Sequence, residues 1–178
     1  IRLSLVGSEM CIRDRLLLAV LDLFAEGAIP TNLIELTPDL GDLFTRYWAR
    51  VMPPDRRGNL ALPFFHLRSD RFWHLVPRPR QELALASARQ IRSIHHLRDT
   101  VLGARLDADL YAQLHDPAAR DLLRTVLIDT YFAPGLHAVL VEEGVIHVEA
   151  FRYSRRLLDA ARCHTVREGM ADADAIAQ

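Results

Sequence analysis

The sequence predicts a mainly α fold (α+β), a compact helical domain with one small β-hairpin. Three observations predict it. Apolar residues recur at helical spacing through most of the chain. Thr-Pro and Asp-Pro pairs mark helix starts, and the clearest β-prone runs are two short aromatic stretches between residues 62 and 76. At 178 residues, half of them apolar, the chain can bury one sizeable core.

Leu16 to Glu26 is apolar on nearly every side, which predicts a central helix, interrupted by Asp22 and Glu26 and ended by Gly27 and Pro30. Thr37-Pro38 supplies a hydroxyl cap and a proline at the first helical position. The helix that follows carries Leu40, Leu43, Phe44, Tyr47, Trp48 and Val51 inward and stops at Pro53-Pro54. Asp55 to Asn59 reads as a turn-rich connector. Leu62 to Leu67 and Phe72 to Val76 are expected to pair as a hairpin about Ser69-Asp70, closed by Pro77 and Pro79. Beyond Gln81 the signal is helical: about Ser93 to Leu102, about Asp107 to Leu114, and a long helix capped by Asp116-Pro117 that holds Leu122, Leu123, Val126, Leu127 and Tyr131. Two further helices are expected, about Pro134 to Glu143 and His147 to Thr165, followed by a fraying polar tail.

Composition excludes several classes. No apolar run reaches the ~18 residues of a membrane span. Two cysteines, Cys11 and Cys163, can build neither a disulfide framework nor a four-ligand zinc site, which with no secretory signal points to a cytoplasmic setting. All 22 basic residues are arginine, whose planar fork suits phosphate, although a GC-rich genome would produce the same bias with no function attached. The net charge of −1 hides an asymmetry: ten arginines lie between Arg46 and Arg92, opposed by Asp55, Asp70 and Glu82. From Asp99 onward thirteen acids face eight arginines. A basic segment around aromatic and histidine residues, Phe64 to His74, is the footprint of a phosphate binder; the competing reading is a solvated surface paired with the acidic half.

The stretch Ser4 to Arg15 (SLVGSEMCIRDR) resembles a translated transposon-type sequencing adapter, so residues 1–15 are assigned no role and the domain is expected to start near Leu16.

Several segments together resemble the sulfur-binding domain of phosphorothioate-dependent, McrA-like HNH restriction endonucleases. They are Leu16-Leu-Leu-Ala-Val-Leu-Asp-Leu23, Phe44-Thr-Arg-Tyr-Trp48, Leu62-Pro-Phe-Phe-His-Leu-Arg-Ser-Asp-Arg-Phe-Trp73-His-Leu, Thr130-Tyr-Phe-Ala-Pro134 and Phe151-Arg-Tyr-Ser154. Their order covers residues 16–171, leaving 172–178 as a frayed tail or the start of a linker. Arg71 stands where that family commonly has a turn glycine, and a Lys-Pro usual before the first helix is replaced by the adapter-like residues. The resemblance implies binding of double-stranded, phosphorothioated DNA, with a homodimer left open. A small apolar pocket would accept sulfur and reject the more strongly hydrated oxygen. By resemblance Phe65, His66, Tyr131, Phe132 and Pro134 form that pocket, and Arg56, Arg57, Arg68 and Arg71 contact the backbone.

Core roles compete with these. Phe64, Phe72, Trp73 and Tyr131 also read as packing residues, and His66 as a structural histidine.

The family's nuclease follows its binding domain, and its HNH and CxxC motifs are absent from this sequence. That suggests a frame truncated at both ends or a break before the nuclease, so the chain itself is expected to target DNA and not to cut it, with no cofactor. Two alternatives stay open: a metal-dependent hydrolase centred on His66, His74 and Asp70, and an arginine-rich protein-interaction domain. His95-His96 and Cys163-His164 lack partners at ligand spacing, and Asp107 and Asp109 read as caps or surface charge.

Overall fold

The computed structural model describes the backbone of residues 6–176 and the side chains of residues 12–160. Helix α1 (Val6–Glu26) is the axis of the fold, and from Leu16 to Phe24 every residue except Leu17 is buried. A helix apolar all round has to be surrounded, and α1 is packed by α2 (Pro38–Val51), α3 (Ala61–His66), α7 (Pro117–Tyr131) and α8 (Pro134–Ile176). It ends as expected at Gly27, whose φ of +71° is the left-handed conformation a helix stop favours, with the Ala28 amide donating to the Leu23 carbonyl at 2.9 Å.

The Thr37 hydroxyl accepts from the Leu40 amide at 3.3 Å, and α2 buries Leu40, Leu43, Phe44, Tyr47 and Trp48. Asp116 caps α7 in the same way through the Ala118 amide at 3.3 Å.

The expected hairpin is corrected. Residues 61–66 form α3, and a 3-10 turn covers Leu67–Ser69. Asn59 accepts from the Ala61 amide at 3.0 Å and Pro63 falls in the first turn, where its missing N–H is harmless. Pro63, Phe64, Phe65 and Leu67 are all buried, a pattern that a strand alternating between two faces could not satisfy.

Only the second arm is a strand. β2 (Trp73–Pro77) pairs antiparallel with β3 (Val101–Leu106), which also pairs with the short β1 (Ile34–Glu35), giving the order β1-β3-β2. β3 lies partly where a helix through Leu102 was expected; α5 (Ile94–Thr100) stops before it, and a short α4 (Glu82–Ser87) precedes α5. Gly103 is required in β3, because a Cβ there would lie 2.4 Å from the Ile34 carbonyl oxygen. α6 (Ala108–Gln113) follows β3.

The two expected C-terminal helices are one, since α8 runs unbroken through Gly144. That glycine makes room for Arg124: a Cβ would sit 2.6 Å from Nη1. Arg124 pairs with the fully buried Asp22 and donates to the Tyr47 hydroxyl at 2.8 Å, while Tyr47 donates to Asp22 at 2.6 Å. The interruption of α1 by Asp22 is thus a polar bolt joining α1, α2 and α7. Burial pushes the Asp22 carboxyl up, opposed by Arg124 and by the Tyr47 hydrogen bond, and burial also raises the Tyr47 hydroxyl, keeping it a donor.

Glu26 pairs with His147 of α8, and Arg50 donates to Glu143 at 2.7 Å. Among the described residues no helix is long and apolar enough to cross a membrane.

The segment assigned no role is helical from Val6 onward, and Asp14 and Arg15 are buried. The Arg15 guanidinium lies 4.9 Å from the centre of the Trp48 ring.

Candidate nucleic-acid interface

His66 is placed by α3. Phe65 is fully buried beneath it, with the two rings edge to face at 5.6 Å. His66 is half-buried and lines a cleft of about 170 Å³ whose apolar walls are Ile12, Leu62 and Pro63, with Arg13 and Gln90 beside the histidine. The lining therefore combines apolar side chains with hydrogen-bonding ones.

A larger apolar cavity of about 380 Å³ adjoins it, since Arg13 lines both. Leucines from α1, α6 and α7 line the larger cavity, and Tyr131, 39 % exposed, closes part of it. Arg13 meets Asp70 at 3.4 Å beside this cavity. Asp14, only 6 % exposed, also faces it, with Oδ2 lacking a hydrogen-bond partner. Burial raises the Asp14 carboxyl from 3.8 to about 7, opposed by Arg13 and Arg15 and assisted by Asp70.

The five residues expected to share one pocket are distributed differently. His66 and Tyr131 occupy neighbouring cavities. Phe65 and Phe132 belong to the core, where Phe132 ends α7 and its carbonyl meets His137 Nε2 at 2.9 Å. Pro134 is exposed at the start of α8 and lines neither cavity.

The arginines also divide. Arg56, Arg57 and Arg71 are exposed. Arg68 is turned to structural use: it lies 4.0 Å over the Phe65 ring and donates to the Leu85 and Ala88 carbonyls at 3.1 and 2.6 Å.

Arg13 and Gln90, which line the His66 cleft, were not among the expected site residues: nothing local distinguishes Gln90, and Arg13 fell in the stretch given no role.

The hydrolase constellation is not assembled. His74 pairs with Asp107 at 2.7 Å, Asp70 with Arg13, and His66 lies in its own cleft. Among the described residues no group of three His, Cys, Asp or Glu could hold a metal ion. The side chains of Cys11, Cys163 and His164 lie outside the described residues. No protein-family model matches the chain, and no curated protein is significantly similar to it.

Proposed function

We propose that the chain is a binding module for phosphorothioate-modified duplex DNA and that the sulfur enters the His66 cleft. The observation that carries this is the mixed apolar and polar lining of that cleft. Leu62, Pro63 and Ile12 offer an apolar wall to a weakly hydrated sulfur, while His66, Gln90 and Arg13 can face the remaining phosphate oxygens. An ordinary oxygen against the apolar wall would lose its water and gain no donor, at about 1–3 kcal/mol, a preference of roughly 5- to 150-fold for sulfur.

The exposed Arg56, Arg57 and Arg71 supply a sequence-independent grip on the duplex. In the setting implied by the resemblance, such a module would direct an HNH nuclease to modified DNA. The larger cavity next door, with Tyr131 at its edge, is not needed for sulfur and is oversized for it.

Gel shift with one sequence, made plain and with a single phosphorothioate, tests the reading. The sulfur duplex should bind more tightly, and His66→Ala should reduce that preference while sparing affinity for the plain duplex. Equal binding of both duplexes by the unaltered chain refutes it.

A further inference from the structure

We propose that a second cleft, between the start of α2 and the loop before α3, seats backbone phosphates of the bound duplex. The inference rests on the duplex-binding part of the reading above and not on its sulfur selectivity. The cleft, about 580 Å³, holds Arg57, Arg92 and Arg98 together with Thr37, Thr45 and a single acid, Asp42. Three guanidinium groups against one carboxylate make it cationic.

Its frame is built. Trp48 Nε1 donates to the Arg56 carbonyl at 2.7 Å, and Gly58 lies against the Trp48 ring so closely that a Cβ would come within 2.9 Å of it. Asn59 Nδ2 donates to the Arg92 carbonyl at 2.7 Å, tying the two arginine-bearing segments together. Arg98 is anchored on the Leu36 carbonyl through Nε at 3.2 Å and Nη2 at 2.9 Å.

The side chains of Arg57 and Arg92, by contrast, make no hydrogen bond or ion pair with any described residue. Elsewhere Arg50, Arg68 and Arg124 all have intramolecular acceptors. Two forks held at fixed roots with their donors unspent match the oxygens of a phosphate.

The two clefts draw on the same two segments. Leu60 lines this one and His66 the other, while the segment leading to α5 gives Arg92 to one and Gln90 to the other.

The test is fluorescence anisotropy with the plain and sulfur duplexes, using the unaltered chain and the double variant Arg57→Gln, Arg92→Gln. Both residues are exposed, so thermal unfolding should be unchanged. We expect about a tenfold or larger loss on both duplexes alike, with the salt slope falling by ~1.8 for two phosphate contacts.

Affinity within twofold of the unaltered chain, with the same slope, overturns the proposal. So does tight binding of a mononucleotide that the double variant abolishes, because the cleft would then serve free nucleotides. If the unaltered chain binds both duplexes equally while the double variant is still weakened, the sulfur reading falls and the phosphate cleft stands. Absence of duplex binding by the unaltered chain sinks both.

Discussion

Asp14 offers the sharpest test of the packing around α1. Its carboxyl is almost fully buried, one oxygen has no hydrogen-bond partner, and its ordinary value of 3.8 is lifted to about 7 by burial, with Arg13 and Arg15 pulling the other way. In the unfolded chain the group ionises near its ordinary value; in the folded chain it holds its proton until near neutrality. Between those limits the folded state binds more protons than the unfolded one, so stability must fall as pH rises from about 4 to about 7 and level off above.

The rise from 3.8 to about 7 corresponds to a loss of about 4 kcal/mol at ~1.36 kcal/mol per pH unit. Asp14→Asn keeps the shape and removes the charge, leaving a buried amide that itself costs about 1–3 kcal/mol. The variant should therefore be more stable than the parent by about 2 kcal/mol at pH 8, and the order should reverse by about the same amount towards pH 4, where the parent's carboxyl is neutral in both states. Urea denaturation at pH 4, 5, 6, 7 and 8 measures it. A parent as stable at pH 8 as at pH 5, or a variant with the same pH slope, refutes the burial argument.

Three further outcomes follow from the structure. Tyr47→Phe removes the hydroxyl that donates to Asp22 and accepts from Arg124, so urea denaturation should show a loss of about 1–3 kcal/mol; a change under ~0.5 would mean the bolt is not formed. Gly144→Ala would gain ~1 kcal/mol on helix propensity alone, yet the new Cβ would lie 2.6 Å from Arg124 Nη1, so thermal unfolding should show net destabilisation. Arg68→Lys loses the fork that reaches both the Leu85 and Ala88 carbonyls and should cost about 1 kcal/mol or more in stability, while DNA affinity of the folded variant stays unchanged; a selective loss of affinity would return Arg68 to the interface.

Sequence signals located the helices with strong caps and clear periodicity. Thr37-Pro38 and Asp116-Pro117 begin α2 and α7, and Gly27 ends α1. The errors fell where tertiary packing overrides local preference. Phe64 and Phe65 read as strand residues, but a core that buries four side chains within five positions needs a helix. β3 was hidden because the expected helix ran through Leu102 and left residues 103–106 as a connection, and the close approach that requires Gly103 involves Ile34, far away in sequence. Gly144 looked like a break for the same reason, its cause being an arginine twenty residues earlier.

The expected site residues are spread over several environments. His66 lies in a cleft, and Arg57 lines the phosphate cleft now proposed. Phe65 and Phe132 are core, and Arg68 looks inward, because sequence order does not reveal which face of α3 meets α1.

Selection of sulfur over oxygen requires the His66 cleft to offer apolar groups to one non-bridging position of the phosphate and polar groups to the other, and such a cleft is handed. A phosphorothioate has two diastereomers that exchange sulfur and oxygen between those positions. Affinities of the chain for the two diastereomeric duplexes and the plain duplex, measured side by side at one salt concentration, test that claim most directly. One diastereomer should bind roughly 5- to 150-fold more tightly than the other two ligands, a difference of about 1–3 kcal/mol. Three equal affinities would contradict it.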